Sequence, residues 1–178
     1  MKPRNTPHPM EFGAPWGRSV KLATGLVGLI LLVVLFAPLA AEWASPGKAR
    51  LAWLMPVVVL VIFGITSLFA VRGYRLTHRE LWIRRLAWWT RLPLKDLTSA
   101  EPDPQAFQKA LRKAGNGGYL AITGWFWNRR LGHFRAFVTD PQRSVVLRFK
   151  DRVVVISPDD PEAFVRALGV SSSGKRRP

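Results

Sequence analysis

Two long uncharged apolar runs, then short alternating segments broken by turn residues, divide the chain near Arg72. From Leu22 to Ala41 no charged residue occurs. At a rise of ~1.5 Å per residue that run covers about 30 Å, the hydrocarbon thickness of a bilayer. A second uncharged run, Leu51 to Val71, is bracketed by Arg50 and Arg72. The runs predict transmembrane helices over about 22–41 and 46–71, the second opened by Ser45-Pro46 as N-cap and first helical residue. The short connection near Glu42 to Ser45 makes them an antiparallel hairpin. A cleaved signal peptide is disfavoured because its apolar core spans only ~7–15 residues and ends in a small-x-small site. In this chain Leu39-Ala40-Ala41 puts leucine where a small residue is needed. A buried helix of a soluble fold is disfavoured for the second run, since ~18 apolar residues without a charge are rare there. Pro38, Pro56 and Gly64 are tolerated in a bilayer, where neighbouring groups re-satisfy freed carbonyls.

After Arg72 the period becomes that of small antiparallel β structure. Seven strands are expected, near 73–77, 80–86, 89–95, 119–127, 133–139, 144–149 and 152–157. Leu81 and Ile83 alternate with Trp82 and Arg84, and Val153, Val154 and Val155 form a more buried run. Two stretches have helical spacing. One opens at Asp103-Pro104-Gln105, carries Ala106, Phe107, Ala110, Leu111 and Ala114 on one face, and stops at Gly115-Asn116-Gly117-Gly118. The other starts at Ser157-Pro158, with Asp159, Asp160 and Glu162 favouring the positive helix end and Phe164, Val165 and Leu168 supplying an apolar face.

Certain segments go further than pattern. Tyr74-Arg75-Leu76-Thr77, Leu81-Trp82-Ile83 and Leu92-Pro93-Leu94-Lys95-Asp96-Leu97 resemble the opening hairpins of bacterial pleckstrin-homology-like (PH-like) domains. Gly115-Asn116-Gly117-Gly118, Gly124-Trp125-Phe126, Leu131-Gly132-His133-Phe134-Arg135 and Val138-Thr139 are similar to the middle of a membrane-anchored subfamily. Ser157-Pro158-Asp159-Asp160-Pro161 with Phe164 resembles its closing helix. The resemblance covers roughly 73–168. It implies a partly open β barrel plugged by the C-terminal helix and commonly attached to membrane helices, with no established ligand, so fold alone supplies no function. The expected fold class is thus α+β, mainly β: two transmembrane helices, then a PH-like, partly open, seven-stranded barrel capped by a C-terminal α-helix. The parts are an N-terminal flank (1–21), the helical hairpin (22–71), the PH-like domain (72–169) and a basic, disordered tail (170–178).

Charge sharpens this picture. The net charge is +16, and 21 of the 27 basic residues follow the second run, against nine acidic ones. Lys2, Arg4, Arg18 and Lys21 before the first run, and Arg72, Arg75 and Arg79 after the second, outnumber Lys48 and Arg50 between them. The positive-inside rule then places both termini and the PH-like domain on the cytoplasmic side of a bacterial inner membrane. A surface this basic prefers anionic partners, although topology signals and solvated strand faces account for basic residues equally well. Trp88 and Trp89, at a hairpin tip with Arg84, Arg85 and Arg91, are candidates for membrane or headgroup contact. Trp127, Arg129 and Arg130 are a second candidate basic-aromatic surface. At least two of Trp125, Phe126 and Trp127 are expected in the core.

No cysteine is present, which excludes disulfides and thiolate zinc sites. His78 and His133 lack a second ligand at metal-binding spacing, and the glycine run lacks the Lys-Ser/Thr of a phosphate loop. No catalytic residue, metal or cofactor is expected. Nucleic acid is disfavoured by the membrane tether and by the lack of a recognised motif. The expected function is a non-enzymatic, membrane-anchored module presenting a basic surface to an unknown protein partner or to further copies of itself. The alternatives are anionic lipid headgroups, or an accessory or structural subunit of an envelope or transporter complex.

Overall fold

The structure, a computed structural model, describes residues 9–44 and 54–170. It opens on a short strand, β1 (Met10–Gly13), followed by helices α1 (Arg18–Ala44) and α2 (Leu54–Leu68). Strands β2 (Val71–Leu76), β3 (Glu80–Arg85), β4 (Trp89–Pro93) and β5 (Leu97–Pro102) come next. They are followed by β6 (Leu111–Gly117), β7 (Ile122–Asn128), β8 (Gly132–Val138), β9 (Val145–Phe149), β10 (Val153–Ile156) and helix α3 (Pro161–Leu168). Among the described residues the strands form two sheets, β1-β2-β3-β4 and β5-β9-β10-β8-β7-β6, in which only the β8–β10 pairing is parallel.

Strand alternation builds two cores. Leu81 and Ile83 of β3, Val145 and Leu147 of β9, Val154 and Ile156 of β10 and Phe164 of α3 share the first. Side chains one position out of phase, Val146, Val155, Phe134, Ala136 and Val138, join Val20 of α1 in the second. The six-stranded sheet is thus covered on both faces, which is why β10 reads as an unbroken valine run. Tyr74 ties the layers together: its hydroxyl donates to the Phe137 carbonyl at 2.6 Å and accepts from Ser157 N at 3.1 Å.

The helices are docked onto this domain. Gly17 N donates to Thr139 O at 2.9 Å, and Val20 is fully buried in the second core. The turn before β7 meets both helices. Leu120 N donates to Thr24 Oγ1 of α1 at 2.9 Å; the Tyr119 hydroxyl lies 3.1 Å from Ser67 Oγ of α2, and its ring meets Phe63 edge-on at 5.3 Å.

The structure changes several sequence expectations. Among the described residues, ten strands in two sheets replace the seven-stranded barrel, because β1 comes from the presumed flank, β5 forms where no element is expected and β6 forms at the end of the expected helix. Residues 103–114 are not helical. Lys109 has φ 52°, and from Leu111 the chain pairs with β7, so Ala106 and Phe107 reach the second core from a series of turns. Gly115 to Gly117 belong to β6, and the turn falls later. The closing helix starts at Pro161, not Pro158: the Asp160 carboxylate caps Ala163 N, while buried Ser157 accepts instead from Thr139 N and Asp140 N. Helix α2 ends at Leu68, and Val71 opens β2. The first run lies within α1. Ser45-Pro46, the loop residues Lys48 and Arg50, Lys2, Arg4 and the tail from Ser171 lie outside the described residues.

Candidate functional site

Alternation along β3 turns Leu81, Ile83 and then Arg85 inward, so the last residue of an apolar face is a guanidinium. Arg85 is only 7% exposed. Its Nε donates to Thr90 Oγ1 at 3.0 Å and its Nη1 to the Phe69 carbonyl at 3.3 Å, just past the end of α2. The rings of Phe137, Phe69 and Trp88 lie 5.1, 5.5 and 5.7 Å from its Cζ. Burial, and then repulsion from Arg135, hold its pKa below the usual arginine value. Nη2 has no hydrogen-bond partner among the described residues.

Arg85 forms one wall of a cavity of about 510 Å³, within the size range of small-molecule sites. Ile65 and Thr66 of α2, with Phe69 just beyond it, form another wall, and Arg112, Asn116, Trp125 and Arg135 of β6–β8 complete it. The Arg135 guanidinium lies 4.8 Å from the Phe137 ring centre and 5.7 Å from that of Trp125. Arg112 is laid over Gly117, where an added Cβ would stand 2.6 Å from its Nη1. Opposed Gly115 and Gly124 keep the floor low. Their φ values are 110° and 135°, and a Cβ on Gly124 would fall 2.1 Å from Ala114 O.

None of the three arginines pairs with a carboxylate among the described residues. Arg85 offsets the carbonyl end of α2, worth about half a negative charge. Arg112 and Arg135 have no such counterpart. The arrangement places three cationic side chains around one cavity beside an apolar helix, the chemistry that holds a multi-oxygen anion.

The five residues expected at the hairpin tip are divided among three places. Arg85 and Trp88 sit at the foot of α2, with Trp88 edge-on to Phe69 at 4.9 Å. Trp89 lies on the other face, with the Arg75 and Arg84 guanidinium carbons 4.9 and 5.8 Å from its ring centre. Arg91 pairs with Glu80 at 2.6 Å and lies over Trp82. In the second cluster Arg130 is paired with Asp103, Arg129 is exposed and Trp127 is half-buried. Of the three neighbouring aromatics, at least two of them expected in the core, only Phe126 is buried, and Trp125 is half exposed toward the cavity. Sequence reasoning missed Arg112 because it was assigned to a helix. It missed Arg135 although this residue lies two positions from Phe137 on a strand. Period-two alternation carried past Ile83 would have turned Arg85 inward.

No curated protein and no solved structure matches the chain. The family model of the bacterial PH domain matches residues 72–172, from the start of β2 to beyond α3. That match takes in more than half of the sequence and the β domain just described apart from β1, and the chain therefore belongs to the bacterial PH domain family.

Proposed function

We propose that the protein is a non-enzymatic, membrane-anchored PH module whose helical hairpin crosses the inner membrane twice and whose domain engages anionic groups at the cytoplasmic headgroup layer. One observation carries the reading: three arginines without carboxylate partners among the described residues gather at the foot of an apolar helix. Helix α1 is long and apolar enough to cross a bilayer. Leu26, Leu29, Val33 and Phe36 of α1, and Met55, Val58, Val61 and Ile62 of α2, are each at least half exposed, a belt that calls for an apolar solvent. The described part of α2 is shorter, at fifteen residues. Pairing between β1 and β2 supports a return crossing, because it holds both ends of the hairpin together on one side. The same pairing weighs against a cleaved leader, whose removal would strip β1 from its sheet. With attachment supplied by the helices, the basic surface orients the domain, each basic side chain near an anionic leaflet contributing about 1 kcal/mol.

The test is hydrogen exchange at residues 86–91 in full-length protein reconstituted into vesicles. Anionic lipid is expected to protect this tip relative to neutral lipid, and high salt to reduce the protection. Equal exchange in both vesicles would contradict headgroup engagement. A second reading, self-assembly, is favoured by β6, an edge strand of the six-stranded sheet with nearly every residue exposed. A strictly monomeric species in neutral detergent at all concentrations would remove it.

A further inference from the structure

We propose that the Arg85–Arg112–Arg135 cavity is a stoichiometric site for one anionic phospholipid, its phosphate held between the three guanidinium groups and an acyl chain laid along α2. This rests on the membrane-anchored reading and goes beyond it, since general attraction to a charged leaflet needs no built pocket. Two features select a phosphate. Arg85 is buried with Nη2 lacking a hydrogen-bond partner among the described residues, and the Arg85 and Arg135 guanidinium carbons lie 5.1 and 4.8 Å from the one Phe137 ring, so the two like charges repel. An anion between them converts that repulsion into charge-assisted hydrogen bonds.

Two further features select a lipid over a soluble anion. Ile65 and Phe69 line the cavity, and moving back along α2 by helical steps of three and four leads to Ile62, Val61 and Val58. All five side chains are between 42% and 55% exposed, a continuous apolar stripe running from the cavity along the helix. The α2 end that meets the cavity also joins the domain, so in the anchored reading it lies at the depth of the phosphate layer. A soluble phosphate ester would use the arginines and leave the stripe unused.

The test uses full-length protein in neutral detergent, titrated with phosphatidylglycerol, phosphatidic acid, phosphatidylcholine, inorganic phosphate or glycerol 3-phosphate. Native mass spectrometry counts bound lipid and thermal unfolding reads stabilisation. The expected result is one saturable anionic lipid per chain, with phosphatidylcholine and both soluble phosphates weaker by about tenfold or more. Arg112→Gln with Arg135→Gln should weaken lipid binding by a similar factor while the lipid-free variant still folds and unfolds cooperatively, its stability shifted only by the lost Arg135 ring contacts and the relieved repulsion on Arg85. Arg129→Gln with Lys150→Gln, an equal loss of charge elsewhere, should leave binding intact. Non-saturating binding, equal weakening by both pairs, or saturation by inorganic phosphate at the lipid's own affinity would each overturn the site. Alkaline extraction of membranes separates the two failures. Protein that stays in the pellet without a lipid site loses this inference alone, whereas protein released to the supernatant loses the anchored reading with it.

Discussion

The Glu11 carboxylate accepts two hydrogen bonds from Arg75, from Nε at 2.9 Å and Nη2 at 2.6 Å, and the two residues stand directly opposite in the β1–β2 register. They are 64 positions apart, with both apolar helices between them. As an ion pair with both partners well exposed, the contact contributes at most about 1 kcal/mol. Its importance is geometric, because it marks where the two ends of the hairpin meet. Glu11→Cys with Arg75→Cys in this cysteine-free chain should form an intramolecular disulfide on mild oxidation, seen as a faster gel band. A pair that stays reduced in intact membranes would contradict the β1–β2 pairing.

Tyr74 gives a prediction in pH. Burial pushes its hydroxyl up to about 12, with the Ser157 hydrogen bonds opposing the rise. In the unfolded chain it ionises near 10, so between these values only the unfolded state loses the proton. The stabilisation is therefore complete below pH ~10 and fades as pH rises through ~12, by an amount on the order of 3 kcal/mol. Tyr74→Phe leaves the Phe137 carbonyl and Ser157 N without this partner and should cost about 1–3 kcal/mol at neutral pH. Denaturant titrations at about pH 8 and about pH 11.5 should show the gap between wild type and variant closing. A constant gap would contradict the assignment.

Gly124 and Gly132 separate crowding from backbone preference. Both have positive φ, but a Cβ at Gly132 meets nothing within 4 Å, whereas at Gly124 it would collide with Ala114 O and the Gly115 Cα. Gly132→Ala should cost about 1 kcal/mol. Gly124→Ala should cost several times more, or force β6 away from β7 and reshape the cavity floor. Equal unfolding temperatures for the two variants would refute the close approach.

Sequence made the strand half of this fold legible wherever alternation was unbroken, as in β3 and β10, and placed the closing helix within a few residues. It failed where tertiary partners override local spacing. Ala106, Phe107 and Ala110 have helical periodicity and are drawn into or against the second core, but Asn128 Nδ2 donates to Ala106 O at 2.8 Å and fixes a turn instead. Strand β1 was not legible, since Met10–Gly13 becomes a strand only because β2 offers it an edge after a long excursion through two helices. For the candidate site, sequence supplied Arg85 and Trp88 through their clustering. The cavity needed Arg112 and Arg135 from β6 and β8, and only the folded sheet brings these to α2.

The most direct test of the anchored account is sidedness. Met10→Cys, Lys48→Cys and Lys150→Cys, each the single cysteine in a full-length chain, are to be labelled with a membrane-impermeant maleimide in right-side-out and inside-out vesicles. The account predicts that positions 10 and 150 label together, only in inside-out vesicles, and that position 48 labels only in right-side-out ones. Labelling of all three from one side, or of 10 and 150 from opposite sides, would contradict it.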